Sequence, residues 1–253
     1  MFTKAIVKTP CKNMVNGITS ANLGKPDYER ALHQHRDYIR ALQNCGLEVI
    51  ILEADENYPD STFVEDTALL TPYCAVITRP GAESRRGEIT AIKKAVAAFY
   101  SQIETIEAPG TVEAGDIMQV GSHFYIGLSE RTNAVGASQL IALLQKYGMT
   151  GSTVALDEVL HLKTGVAYLE NNNVLACGEF ITKVEFEKFS LLQVEEDESY
   201  AANCIWVNGT VIVPHGFPKT KRLIEDAGYP TLAIDVSEFR KLDGGLSCLS
   251  LRF

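Results

Sequence analysis

The chain has 253 residues, 46% apolar and 22% charged, with a formal net charge of −9 and an isoelectric point of about 5.1. That length is ample for a buried core, and that composition excludes a disordered chain. The acidic balance argues against nucleic acid as a partner and suits a cationic ligand.

No run approaches the ~20 apolar residues needed to cross a bilayer. The start, MFTKAIVKTP, has no apolar stretch of the signal-peptide kind. The expectation is a soluble, cytoplasmic protein with no membrane partner. Six cysteines (Cys11, Cys45, Cys74, Cys177, Cys204 and Cys248) are scattered with no C-x-x-C pair, which argues against a zinc knuckle. Reduced thiols are then the default.

Along the chain, strand-like and helix-like runs alternate. KAIVK (4–8) reads as a strand, and a loop over 9–25 follows it. The next segment, 26–46, reads as an amphipathic helix: Pro26 and the acids Asp27 and Glu29 suit its start, and Gly46 its end. The two histidines of HQH (33–35) face apart on such a helix, so they make no metal pair. LEVIIL (47–52) reads as a buried strand. Residues 66–78 read as two strands around Pro72, and 88–100 as a helix. A hairpin around Gly121 (116–127) precedes a helix over 132–147. A hairpin around 171–173 precedes a helix near 179–189. CIWVNGTVIVP (204–214) is a hairpin with an Asn-Gly turn, followed by a helix over 218–227 and the strand TLAIDV.

This pattern of hairpin, helix and strand is an internal repeat. Asp66, Asp116, Thr164, Asn203 and Cys248 mark its period at intervals of about 40 to 50 residues. A unit that small cannot bury its own sheet, so five copies should close into a ring, with the first and last segments joined, in a single domain over 1–253. Polar residues at equivalent strand positions would then converge on the central axis, where ligands sit in propeller-like architectures. Cys248 would be carried there by a short final strand.

The residues so gathered are Glu65, Asp66, Glu113, Asp116, His161, Asn203 and Cys248. A thiol is a good nucleophile near neutral pH, and an imidazole moves protons there. Several carboxylates beside them suit a planar guanidinium, with its fixed fork of N–H donors, and suit a peptidase oxyanion poorly. On spacing alone each residue also has a plain structural alternative: Cys248 as core filling, His161 as a strand-end histidine, Glu113 and Asp116 as turn residues, and Arg85 and Arg86 as solvated charges near a helix start.

The segments TSANLGKPDY, PDSTFVEDTALL, ITRPGAESRRGE, IEAPGTVEAGDIM, VLHLKTGVAYLE, SYAANCIWVN and KLDGGLSCLSLRF together resemble the bacterial-type dimethylarginine dimethylaminohydrolases, of the pentein or guanidino-group-modifying superfamily. The resemblance implies an α/β propeller of five pseudo-symmetric ββαβ-type units. It also implies hydrolysis of Nω-methylated arginine to citrulline and an amine through a covalent thiouronium, with no metal or organic cofactor. Cys248 would be the nucleophile, His161 the general acid and base, and Glu113 the group orienting it. Asp66 with Glu65 would hold the guanidinium, and Arg85 with Arg131 the α-carboxylate. Asp60 and backbone groups near Ile18 and Leu242 would hold the α-amino end, with the loop containing Ile18 as a lid. The partner is a small molecule, methylated arginine, and the chain a monomer or homodimer. Arginine deiminases and agmatine-specific relatives are the enzymatic rivals, and a non-catalytic binding module the rival of another class.

Overall fold

The computed structural model describes residues 1–253. Strand β1 (Lys4–Lys8) leads through a loop with one short turn, Lys12–Asn16, into helix α1 (Tyr28–Asn44) and strand β2 (Glu48–Leu52). Asp27 caps α1, its carboxylate accepting the Arg30 N–H at 2.9 Å. Four units of one plan follow. In the first, β3 (Ala68–Leu70) and β4 (Ala75–Ile77) pair antiparallel, and α2 (Ile89–Val96) leads to β5 (Ile103–Thr105), parallel to β4. In the second, β6 (Ile117–Val120) and β7 (His123–Leu128) precede α3 (Ala134–Lys146) and β8 (Thr150–Ala155).

The third unit opens with a single helical turn, α4 (Leu162–Gly165), then β9 (Val166–Tyr168), β10 (Asn173–Ala176) and β11 (Ser190–Gln193). The fourth has β12 (Ile205–Val207), β13 (Thr210–Pro214), α5 (Pro218–Asp226) and β14 (Thr231–Ile234). Its Asn208 and Gly209 both take positive φ, 50° and 95°, as the Asn-Gly hairpin requires. After a short helix α6 (Ser237–Arg240), strand β15 (Leu251–Arg252) returns to pair antiparallel with β1. The fifth sheet, β15-β1-β2, therefore joins the two ends of the chain and closes the ring.

The packing explains why the units need one another. On each middle strand, alternate side chains enter the two seams on either side of the sheet. Ala5 and Val7 join one apolar cluster and Ile6 the next. Phe124 and Ile126 share a cluster that Tyr125 does not. Val211 and Val213 likewise part from Ile212. Five such clusters fill five seams. Both faces of each middle strand are covered, and no helix is long and apolar enough to cross a membrane.

Three expectations change. β2 is not buried: it is the outer edge of its sheet, and Ile51 is 53% exposed. No α-helix forms near 179–189. Two single turns, Gly178–Ile181 and Val184–Phe186, replace it. A continuous helix would turn Phe180 to the side opposite Phe189, whereas the broken path buries Phe180, Phe186 and Phe189 in one cluster. The polar markers of the repeat stand just before the strands, not on them. Asp66 lies in the turn Val64–Thr67, Asp116 in Ala114–Asp116, Thr164 in α4 and Cys248 in Ser247–Leu249, with Asn203 just after Glu196–Ala202. These turns pack side by side around the axis. A helical turn abandons the strand's alternation, so consecutive side chains can be buried in different directions between neighbouring units. All four residues of Val64–Thr67 are buried.

Candidate active site

A cavity of about 210 Å³ opens at the axis. Its walls include Cys248, His161, Glu113, Asp66, Asp60, Arg85, Arg131, Ile18 and Leu242. Nine of the ten residues expected from the sequence thus share one pocket. The tenth, Glu65, is buried behind the wall: its Oε1 accepts a hydrogen bond from Lys163 Nζ at 2.6 Å and lies 3.5 Å from Arg252 Nη2. Its Oε2 has no partner.

Cys248 is 9% exposed. Its turn is held from behind by Asn203, whose Oδ1 accepts the Ser247 N–H at 2.9 Å. Asn203 therefore supports the thiol's turn and does not line the pocket. The approach is so close that a Cβ on Gly245 would lie 2.4 Å from Asn203 Cγ, and only glycine fits there. The Gly245 N–H points at Cys248 Sγ, 3.4 Å away. Burial, then Glu65 and Asp66, push the thiol up to about 12.

His161 directly precedes α4. Its Nε2 lies 2.8 Å from Glu113 Oε2, and Glu113 is 1% exposed. The other oxygen of Glu113 accepts the Ala82 N–H at 3.2 Å. Burial alone would lower the imidazole. Asp66, the hydrogen bond to Glu113 and the charge of Asp116 outweigh it and raise His161 to about 9. Asp116 is itself an anchor: its Oδ1 accepts the Leu162 N–H at 3.0 Å and its Oδ2 the Ser129 hydroxyl at 2.7 Å. It fixes the backbone that carries His161.

Asp66 Oδ1 accepts the Gly115 N–H at 3.0 Å, and Oδ2 accepts from Arg85 Nη1 at 2.6 Å. Burial opposes its charge, but Arg85 and His161 hold it below the usual carboxylate range. Arg85 is largely committed inside the protein. Its Nε and Nη2 bond to Glu88, and Nη2 also to the Phe63 carbonyl. Arg131 is more open, with Nη1 3.9 Å from Glu113 Oε1. Asp60 accepts the Ile18 N–H at 2.9 Å, and burial raises its carboxyl.

The loop over the cavity is fastened at its tip, a feature the sequence reading missed. Thr19 Oγ1 donates to the Lys241 carbonyl at 2.9 Å, and Ser20 donates through N–H and hydroxyl to Asp243 Oδ2 at 2.5 and 3.0 Å. Asp243 also lines the cavity and takes a φ of 58°. The polar pair Thr19–Ser20 next to Ile18 and the aspartate next to Leu242 were the available signal.

Ligand atoms of Asp66, Glu113 and His161 lie within 4.8 Å of one another. To bind a metal there, His161 would have to lose a proton held up to about 9, and Asp66 its contact with Arg85. The donor set fits an organic cation better. A buried thiol, a carboxylate-paired imidazolium and an anionic wall can bind such a cation, attack its carbon and protonate what leaves.

Comparison with known proteins agrees. The family model of N,N dimethylarginine dimethylhydrolase, eukaryotic, matches residues 14–199. An N(G),N(G)-dimethylarginine dimethylaminohydrolase from Pseudomonas aeruginosa is 59% identical over 254 residues, covering 100% of both chains. One from Streptomyces coelicolor is 35% identical, covering 98% of this chain and 96% of its own. The structure of a cysteine-to-serine mutant of the Pseudomonas aeruginosa protein, complexed with citrulline, superposes with a TM-score of 0.99 at 59% identity over 100% of both chains. The five-unit ring is the pentein fold, and the chain belongs to the dimethylarginine dimethylaminohydrolase family.

Proposed function

We propose that the protein hydrolyses Nω,Nω-dimethyl-L-arginine, and the monomethyl compound, to L-citrulline and dimethylamine or methylamine. The observation that carries this reading is that a buried thiol and a carboxylate-paired imidazole open onto one cavity that is also lined by the carboxylates Asp60 and Asp66 and by Arg85 and Arg131. A relative at full-length identity of 59% bears the same activity in its name, and its structure holds citrulline.

In this reading Asp66 receives the guanidinium, and Glu65, buried behind the wall, adds negative charge without touching it. Arg131 and the free N–H of Arg85 take the α-carboxylate. Asp60 and the backbone at Ile18 and Leu242 take the α-amino group. The incoming positive charge offsets the carboxylates that keep Cys248 protonated, and the thiol proton is released to solvent as the cation binds. The thiolate attacks the guanidinium carbon. His161 donates its proton to the departing nitrogen, the C–N bond breaks, and dimethylamine leaves a thiouronium on sulfur. His161, now a base, takes a proton from water. The hydroxide adds to the same carbon, the C–S bond breaks, the added hydroxyl gives its proton to the departing sulfur, and citrulline and the free thiol form. Glu113 holds the imidazole in place through both steps.

We take residues 1–253 as one catalytic unit, supported by the pairing of β15 with β1. All six cysteines are free, which suits the cytoplasm, and the chain acts as a monomer or homodimer.

The test is citrulline and amine release from dimethylarginine, monomethylarginine, arginine and agmatine, by wild type and Cys248→Ser. Amine from the methylated substrates, lost in the variant, is expected. Turnover of arginine alone would make the protein a deiminase on this scaffold and end the proposal.

A further inference from the structure

Arg85 has five N–H donors in a rigid fork. Its Nε lies 3.1 Å from Glu88 Oε1, and its Nη2 donates to Glu88 Oε2 and to the Phe63 carbonyl, both at 2.9 Å. Nη1 donates to Asp66 Oδ2 at 2.6 Å. One N–H, on Nη1, is left. The fork therefore meets Asp66 with a single nitrogen, although arginine and carboxylate favour a two-nitrogen pairing. Glu88 prevents that pairing because it already holds Nε and Nη2.

Glu88 is itself fixed. It is 3% exposed, and its N–H donates to the Arg85 carbonyl at 3.0 Å. The preceding Gly87 presses so closely on Tyr58 that a Cβ there would lie 1.8 Å from the Tyr58 oxygen. The carboxylate is therefore delivered from a closely packed backbone.

We propose that Glu88 is a positioning residue, turning Arg85 so that one Nη1 N–H serves the substrate's α-carboxylate while Asp66 keeps lone pairs for the guanidinium. This rests on the reading that Arg85 receives that carboxylate. Without Glu88 the fork would rotate onto Asp66 and cover the acceptor that the other end of the substrate needs.

The experiment compares Nω,Nω-dimethyl-L-arginine with its carboxylate-free counterpart, Nω,Nω-dimethylagmatine. Dimethylamine release is followed for wild type, Glu88→Gln and Glu88→Asp, with the thermal midpoint of each. Wild type should prefer the amino acid. Glu88→Gln should raise KM for the amino acid about tenfold or more, as loss of a charge-assisted contact does, and shrink the preference. Glu88→Asp keeps the charge with a shorter reach and should fall between, and it carries the comparison if Glu88→Gln does not fold. A lowered midpoint with the preference intact would reduce Glu88 to a structural residue and overturn the proposal. No preference in wild type would instead remove the underlying reading of Arg85, and the proposal with it.

Discussion

Glu113 Oε2 and His161 Nε2 stand 2.8 Å apart, although 48 residues separate them in the chain. The carboxylate comes from the loop ahead of the second unit and the imidazole from the turn that opens the third. The pairing, with Asp66 and Asp116 nearby, keeps the ring protonated to about 9, and a protonated ring is what the departing amine requires.

Replacing Glu113 with Gln keeps a polar group and removes the charge. Amine release should fall by about 10² to 10⁴-fold, the usual worth of general acid–base catalysis. His161 must be protonated to act as acid, so activity declines as pH rises through about 9 in wild type. In Glu113→Gln this basic limb should move to lower pH. A rate–pH profile with the limb unmoved would show that Glu113 does not set the imidazole's charge.

The same raised imidazole bears on stability. A group that holds its proton more tightly when folded stabilises the fold fully below its ordinary value of 6.5, and the contribution is lost as pH rises through about 9. The difference in unfolding free energy between wild type and His161→Gln should therefore shrink from about pH 6 to about pH 10. Denaturant titrations across that range check it, and a constant difference would contradict it.

In the empty protein the Cys248 thiol is pushed up to about 12 by burial, Glu65 and Asp66. Thiolate absorbance should be missing near neutral pH and should grow when a non-reactive guanidinium analogue binds. Asp66→Asn removes one of the opposing charges and should lower the thiol in the free protein. Full thiolate at neutral pH without ligand would sink the substrate-activated reading.

Gly115 donates to Asp66, and a Cβ there would lie 2.8 Å from Asp66 Oδ1 and 3.1 Å from His161 Nδ1. Gly115→Ala should displace both groups and cut kcat about 10²-fold, the cost of a misplacement of about 1 Å. Circular dichroism should show the fold retained. Unchanged kcat would mean that the cavity yields more easily than its packing implies.

Much of this was legible along the chain because it depends on neighbours in sequence. The continuous apolar runs of VIVP and AIVK, the Asn208–Gly209 turn and the five-fold spacing are local properties. They determine hairpins, helices and a ring that no single unit could replace. The motif blocks also carried the family and the identities of nine cavity residues. Only the folded structure decided how those residues divide their work. Glu65 and Asp66 are adjacent, yet Asp66 lines the cavity while Glu65 turns to Lys163, 98 residues away. Arg85 looks like a free cation in sequence, but all except one of its N–H groups are committed to Asp66, Glu88 and the Phe63 carbonyl. Cys248 rides a helical turn and not the final strand, and 179–189 gives up its helix to bury three phenyl rings. The physical reason is the same in each case. Charge, protonation and side-chain direction depend on burial and on partners brought from distant parts of the ring, and periodicity along the chain does not encode which partners meet.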